Sequence, residues 1–308
     1  MAGSAWSGTA RLMFLCIVLF WGLNYVFVNI GLAFASPLWL AVLRSGVGAL
    51  GSIALVSARR GWGTLDRRGQ RDALLLGLPN TAGFFGLWFP AQRSVLPGLA
   101  AVFVYTFPMW VALLSAPVLG HRLGRRHWAA IFAGFLGVAM ISQVWSIGSG
   151  SVRVVPILEL LGAAFSWAIG TVLFQRRFPR GDMLEANAFQ VLGGAAALLA
   201  VLLLVAPTPV PRFTPALGIT VVWMGVLGTA IAYSLWFTLL AETRAAKLSA
   251  YVFLVPVVAL TASAVIFGER LSPLQFVGVG LVLLAIYAIG RAPDTGGAAE
   301  SGVPSTPE

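Results

Sequence analysis

Three windows of this chain, residues 12–43, 94–121 and 213–241, contain no Asp, Glu, Lys or Arg, and that limits the fold more than any motif does. A helix of a soluble protein keeps one wet face, so charged residues return every turn or two. Windows of this length are tolerated only in hydrocarbon, where about 20 apolar residues cross a core of about 30 Å as a helix. Composition agrees: 59% of the 308 residues are apolar and 10% are charged, against roughly a quarter charged in soluble domains. The chain therefore reads as an all-α integral membrane protein.

Cutting the apolar stretches at their polar and turn-rich breaks predicts ten transmembrane helices, near 12–34, 38–57, 73–91, 97–119, 128–146, 154–175, 186–206, 215–240, 248–267 and 274–291. A repeat organises them. Tyr105-Thr106-Phe107-Pro108, an apolar run and Gly120-His121-Arg122-Leu123 return as Phe253-Leu254-Val255-Pro256, an apolar run and Gly268-Glu269-Arg270-Leu271, at one spacing. The expected units are a first repeat over 1–150 (helices 1–5), a second over 151–291 (helices 6–10) and a disordered cytoplasmic tail over 292–308, rich in Pro, Gly, Ala and Ser. Because five is odd, the second half enters the membrane from the opposite side, which makes the two repeats inverted.

The formal charge of +10 lies in short loops, a placement that speaks for membrane orientation and against a nucleic-acid partner. Of the 20 lysines and arginines, Arg93, Arg153, Arg212 and Arg270 fall on one side, Arg44 falls inside a span, and the rest gather on the other side. That asymmetry puts both termini in the cytoplasm. The first apolar segment is too long for a cleaved signal and carries Asn24, Tyr25 and Asn29, so it is expected to remain as a helix. A single cysteine, Cys16, builds neither a disulfide framework nor a thiolate metal cluster. His121 and His127 share one basic loop without further ligands, and neither a metal nor a cofactor is expected.

Trp21-Gly22-Leu23-Asn24-Tyr25, Leu43-Arg44, Phe165-Ser166-Trp167-Ala168 and the two blocks from Pro108 and Pro256 to their Gly-x-Arg-Leu turns resemble the EamA-type branch of the drug/metabolite transporter superfamily. The resemblance runs through almost the whole chain. It implies ten helices, a cavity between the halves, and export of small metabolites, often amino acids, across a bacterial inner membrane. Within that branch the aromatic-rich cavity segments are most similar to bacterial exporters of aromatic amino acids. One position departs: His121 stands where the family often has Glu, as Glu269 does in the second half, so a matched acid cannot be assumed for both halves.

A cavity for such a substrate needs hydrogen-bonding groups and ring faces at mid-membrane. The candidate binding residues are Trp21, Asn24, Tyr25, Asn80, Tyr105, Ser166, Trp167, Tyr233 and Trp236, with Trp88, Trp110 and Tyr251 as further aromatics. Pro79, Pro108 and Pro256 are expected to kink their helices and free backbone carbonyls, which persist at membrane depth only where they line a cavity or find partners. Arg44 and Glu159 are the charged groups placed well inside spans and are candidates for gating or coupling. A plainer account has Arg44 reaching out to the headgroups and Glu159 lining the mouth. The glycine pairs Gly134/Gly137 and Gly278/Gly280 are expected to let the last helix of each half pack closely as a static base.

The partners implied are a small-molecule substrate and the lipid bilayer, and a monomer is compatible with both. The competing function, an integral membrane enzyme acting on a lipid or carrier-linked substrate, lacks a His-Glu-x-x-His pair, a Gly-x-Ser-x-Gly elbow or a phosphate-binding glycine loop to work with. The same absence of a Walker sequence excludes ATP drive within this chain.

Overall fold

The structure, a computed structural model, describes residues 7–59, 61–94, 100, 103–120, 123–141, 154–178, 183–204, 208–267 and 272–291. His121 and Arg122, the turn at 268–271, the boundary at 149–151 and the tail from 292 lie outside the described residues. Every regular element among the described residues is helical: α1 Gly8–Leu32, α2 Pro37–Ala58, α3 Arg67–Gly77, α4 Phe84–Ser94, α5 Phe107–Leu119, α6 Arg125–Ile141, α7 Val154–Arg177, α8 Met183–Leu204, α9 Pro215–Val222, α10 Ala232–Glu242, α11 Ala245–Tyr251, α12 Leu254–Phe267 and α13 Pro273–Arg291. Among the described residues, two wide π segments join neighbours: π1, Leu78–Gly83, between α3 and α4, and π2, Trp223–Ile231, between α9 and α10. Among the described residues, six helical stretches are long and apolar enough to cross a bilayer, the longest being Pro215–Glu242.

The helix starts are set locally. Ser7, Ser36, Asp66 and Thr214 each accept a hydrogen bond from the backbone amide three residues on, and Pro37 and Pro215 occupy the first turn, where no amide hydrogen is needed. The same preference corrects two expected kinks. Pro108 and Pro256 do not bend continuous helices: the chain breaks just ahead of them, at Tyr105-Thr106 and at Val252-Phe253, and each proline sits in the first turn of a new helix, α5 or α12. Of the three expected kinks, Pro79 is the one that lies within a continuous helical run, and there the backbone widens into π1.

Helices of the two halves pack in matched pairs. α2 lies on π2 as α8 lies on π1 and α3, α7 on α4 and α5 as α1 on α10 and α12, while α2 with α8 and α6 with α13 close the arrangement. The match extends to residues. Gly48 of α2 meets Thr229 and Gly225 of π2, and Gly194 of α8 meets Thr81 of π1 and Gly77 at its entrance. A Cβ on Gly225 would press on the Arg44 carbonyl, and one on Gly77 would press on the Gln190 carbonyl, so Arg44 and Gln190 hold equivalent stations. Within the π segments Asn80-Thr81-Ala82 answers Gly228-Thr229-Ala230. There the bulk is exchanged: the Asn24 side chain of α1 fills the space beside Gly228, and the Asn80 side chain of π1 fills the space beside Gly170 of α7.

At the far side α6 and α13 approach through glycine, since a Cβ on Gly137 would come 2.8 Å from the Gly278 carbonyl and one on Gly278 would come 2.7 Å from the Gly137 carbonyl. Gly134 receives the Phe253 ring, whereas Gly280, expected in the same seam, has nothing within 4 Å. Overpacking a close crossing costs about 1–3 kcal/mol. Gly77→Ala should therefore lower the midpoint of thermal unfolding in detergent clearly, while Gly46→Ala, where nothing lies within 4 Å, should leave it unchanged or slightly raised; monitoring loss of folded protein on heating checks both.

Candidate functional site

The α2–π2 crossing carries a charge. Arg44 is only 2% exposed, so the account in which it reaches the headgroups is overturned. Its Nε donates to Thr229 Oγ1 at 3.1 Å, its Nη2 donates to the Gly228 carbonyl at 3.4 Å, and the guanidinium lies 4.0 Å from the centre of the Phe85 ring. Burying a cation is costly, and these contacts offset part of that cost. The inward turn has a local cause: Gly225 and Gly48 bring α2 and π2 close enough for the side chain to find hydrogen-bond acceptors across the crossing, where lipid offers none.

Arg44 opens onto a chamber between the halves. Its other walls are Trp21, Asn24 and Tyr25 on α1, Phe84 and Trp88 on α4, Val104 and Tyr105 at the helix break, Phe107 on α5, Trp167 on α7, Tyr233 on α10, and Val252 at the second break. The rings hold one another edge to face. Trp167 lies 4.9 Å from Tyr233 and 5.8 Å from Trp21, with interplanar angles of 60° and 86°, the geometry that aromatic quadrupoles favour. Trp21 Nε1 donates to the Gly228 carbonyl at 3.2 Å, so that oxygen accepts from both Trp21 and Arg44. Tyr25 and Tyr105 lie side by side, 6.4 Å apart between ring centres. The cavity volume within is about 50 Å³, room for a few waters.

At the equivalent crossing of the other half the groups are neutral. Asn80 Nδ2 donates to Gln190 Oε1 at 2.7 Å, Gln190 Nε2 to Asn187 Oδ1 at 3.1 Å, and Asn187 Nδ2 to Ser234 Oγ at 3.0 Å. This buried ladder of amides ties π1, α8 and α10 together behind the chamber wall.

Of the residues singled out in the sequence, the structure brings Trp21, Asn24, Tyr25, Tyr105, Trp167 and Tyr233 to the chamber, together with Arg44 and Trp88. It does not bring Asn80, Ser166 or Trp236 there. Asn80 belongs to the amide ladder, Ser166 Oγ donates to the carbonyl of Pro79 at 2.8 Å, and Trp236 packs behind Trp21 at 5.4 Å between ring centres. Trp110 packs edge-on against Phe165 and Tyr251 against Phe14, both outside the lining. Glu159 is half-buried near the start of α7, and no ion pair joins it to Arg44. Phe84, Phe107, Val104 and Val252 were not foreseen, being apolar residues in apolar surroundings. Gln190 and Asn187 were also missed, although polar side chains in an uncharged stretch are a signal in themselves.

The halves also match known proteins separately: residues 8–143 and residues 155–291 each correspond to the EamA-like transporter family. The chain belongs to that family. Among its relatives, the uncharacterized transporter YvbV of Bacillus subtilis is 26% identical over 273 residues, covering 89% of this chain and 88% of its own. A protein of Escherichia coli named a probable amino-acid metabolite efflux pump is 28% identical over 293 residues, covering 89% and 92%. A solved crystal structure, 21% identical, shares the fold with a TM-score of 0.76 over 91% of this chain and 97% of its own. In this EamA-family transporter Ser166 lies behind the chamber lining, bonded to the Pro79 carbonyl. Ser166→Ala removes the donor to the Pro79 carbonyl and should cost about 1 kcal/mol of stability while leaving ligand affinity unchanged, which unfolding and tryptophan-fluorescence titrations of the variant check.

Proposed function

We propose that this EamA-family transporter is a secondary carrier that exports small metabolites, in particular aromatic amino acids, by alternating access through the chamber between its halves. One observation carries the reading: a chamber at the crossing of matched halves, ringed by Trp21, Tyr25, Trp88, Tyr105, Trp167 and Tyr233 and holding one buried cation. Ring faces suit an aromatic side chain, Arg44 suits a carboxylate, and the name of the Escherichia coli relative speaks for amino-acid metabolites.

Ten membrane spans in two inverted repeats, 1–150 and 151–291, are supported by the matched packing pairs and by the two π segments at corresponding places. Both termini in the cytoplasm follow from the asymmetry of Lys and Arg, and a helical rather than barrel architecture speaks for the inner membrane. The motion has candidate pivots in the breaks at Tyr105-Thr106 and Val252-Phe253, where the chamber wall is not held by a continuous helical ladder.

The test is flux. Purified protein in liposomes loaded with labelled phenylalanine should release it faster than empty liposomes, and Trp167→Ala should slow the release about tenfold by removing a ring from the wall. Release matched by protein-free liposomes would overturn the reading. The described lining carries no carboxylate or histidine to shuttle a proton, so the rate should be the same with and without an imposed pH gradient.

A further inference from the structure

Arg44 enters the chamber with more donors than the protein uses. A guanidinium carries five N–H groups; Nε and Nη2 are bonded to π2, but Nη1 has no hydrogen-bond partner although it is buried. Asn24 lines the same space, and its Oδ1 is likewise buried and unpartnered. A half-turn of that amide exchanges its oxygen for its NH2 group, so it serves as acceptor or donor.

The charge is also unbalanced. No carboxylate is among the described residues lining the chamber, and the described ion pairs, Asp72 with Arg71 and Arg177, involve side chains partly open to solvent. Packing does not demand a cation at this station, because Gln190 holds the equivalent place in the other half with both ends of its amide engaged by Asn80 and Asn187. An ammonium group, by contrast, finds only ring faces and neutral acceptors, and the Arg44 charge repels it.

We infer that the group this chamber selects is a carboxylate, held by Arg44 Nη1 with Asn24 beside it and with an apolar body among the rings, and that the ammonium group of an amino acid is dispensable. The inference rests on the carrier reading and narrows it: the substrates extend to aryl and alkyl carboxylic acids that carry no amine.

The experiment is a ligand panel on the full chain in lipid nanodiscs, read by quenching of tryptophan fluorescence and by ligand-induced thermal stabilisation. The ligands are L-phenylalanine, 3-phenylpropionate, phenethylamine and uncharged indole. Phenylpropionate should bind within about tenfold of phenylalanine, and phenethylamine about 10- to 100-fold more weakly, the fold-change expected for one or two charge-assisted hydrogen bonds. Arg44→Gln should weaken phenylpropionate by a similar factor and leave indole unchanged, which shows that the chamber of the variant is intact. If phenethylamine binds as well as phenylalanine, the carboxylate assignment falls; if phenylalanine binds and phenylpropionate does not, the ammonium is indispensable; either result overturns the inference and leaves the carrier reading standing. Failure of all four ligands to bind overturns both. Should Arg44→Gln not fold, the comparison of ligands on the natural protein decides alone.

Discussion

The contact of Arg44 with Thr229 and the Gly228 carbonyl holds a buried charge beside a chamber walled mostly by aromatic rings. A guanidinium is stable there only if acceptors come to it, and they come because π2 is wide and α2 is glycine-lined at Gly48. The rest of the chamber follows from that crossing. The Gly228 carbonyl that accepts from Arg44 also fixes Trp21, Trp21 sets the edge against Trp167, and Trp167 sets Tyr233. A cation, a carbonyl and three rings form one connected object, in which displacing any member disturbs its neighbours.

The opposite crossing shows what the same geometry does without charge. Gln190 satisfies both ends of its amide within the protein and hands the connection on to Asn187 and Ser234. Asn80 Oδ1 and Thr81 Oγ1 are left without partners there, as Arg44 Nη1 and Asn24 Oδ1 are at the other crossing, but it is Arg44 and Asn24 that line the chamber. The two pseudo-equivalent crossings, each built from both halves, have thus diverged: one presents its polar side chains to the chamber, and the other links them in an amide ladder behind the wall.

Membrane residence, helical class and the candidates Trp21, Tyr25 and Trp167 were legible because an uncharged window and a deep ring leave a one-dimensional trace. The breaks ahead of Pro108 and Pro256 were less so: a proline announces a disturbance, but whether the helix bends or restarts depends on what the neighbouring helices offer to the freed backbone groups. Arg44 was visible as an anomaly, yet its direction was not, since a headgroup and a buried carbonyl are both acceptors and only the glycines across the crossing decide between them. Ser166 and Asn80 look like ligands for the same reason. Both are polar side chains at depth, and each turned out to be occupied by the backbone or by another amide. Phe84 and Val252 were hidden because an apolar residue facing a chamber has the same letter as one facing lipid.

The exchange of Asn24 and Gly228 for Gly170 and Asn80 has a corollary for how such a molecule can be assembled. The first half carries both bulky amides, Asn24 and Asn80, and the second half both notches, Gly228 and Gly170, so each notch of the second receives an amide of the first. Two copies of the first half would drive asparagine into asparagine at the seam, and two copies of the second would leave glycine facing glycine across a gap. The halves have become a mated pair, like two gear wheels cut for each other, and neither would pack on a copy of itself as it packs on its mate.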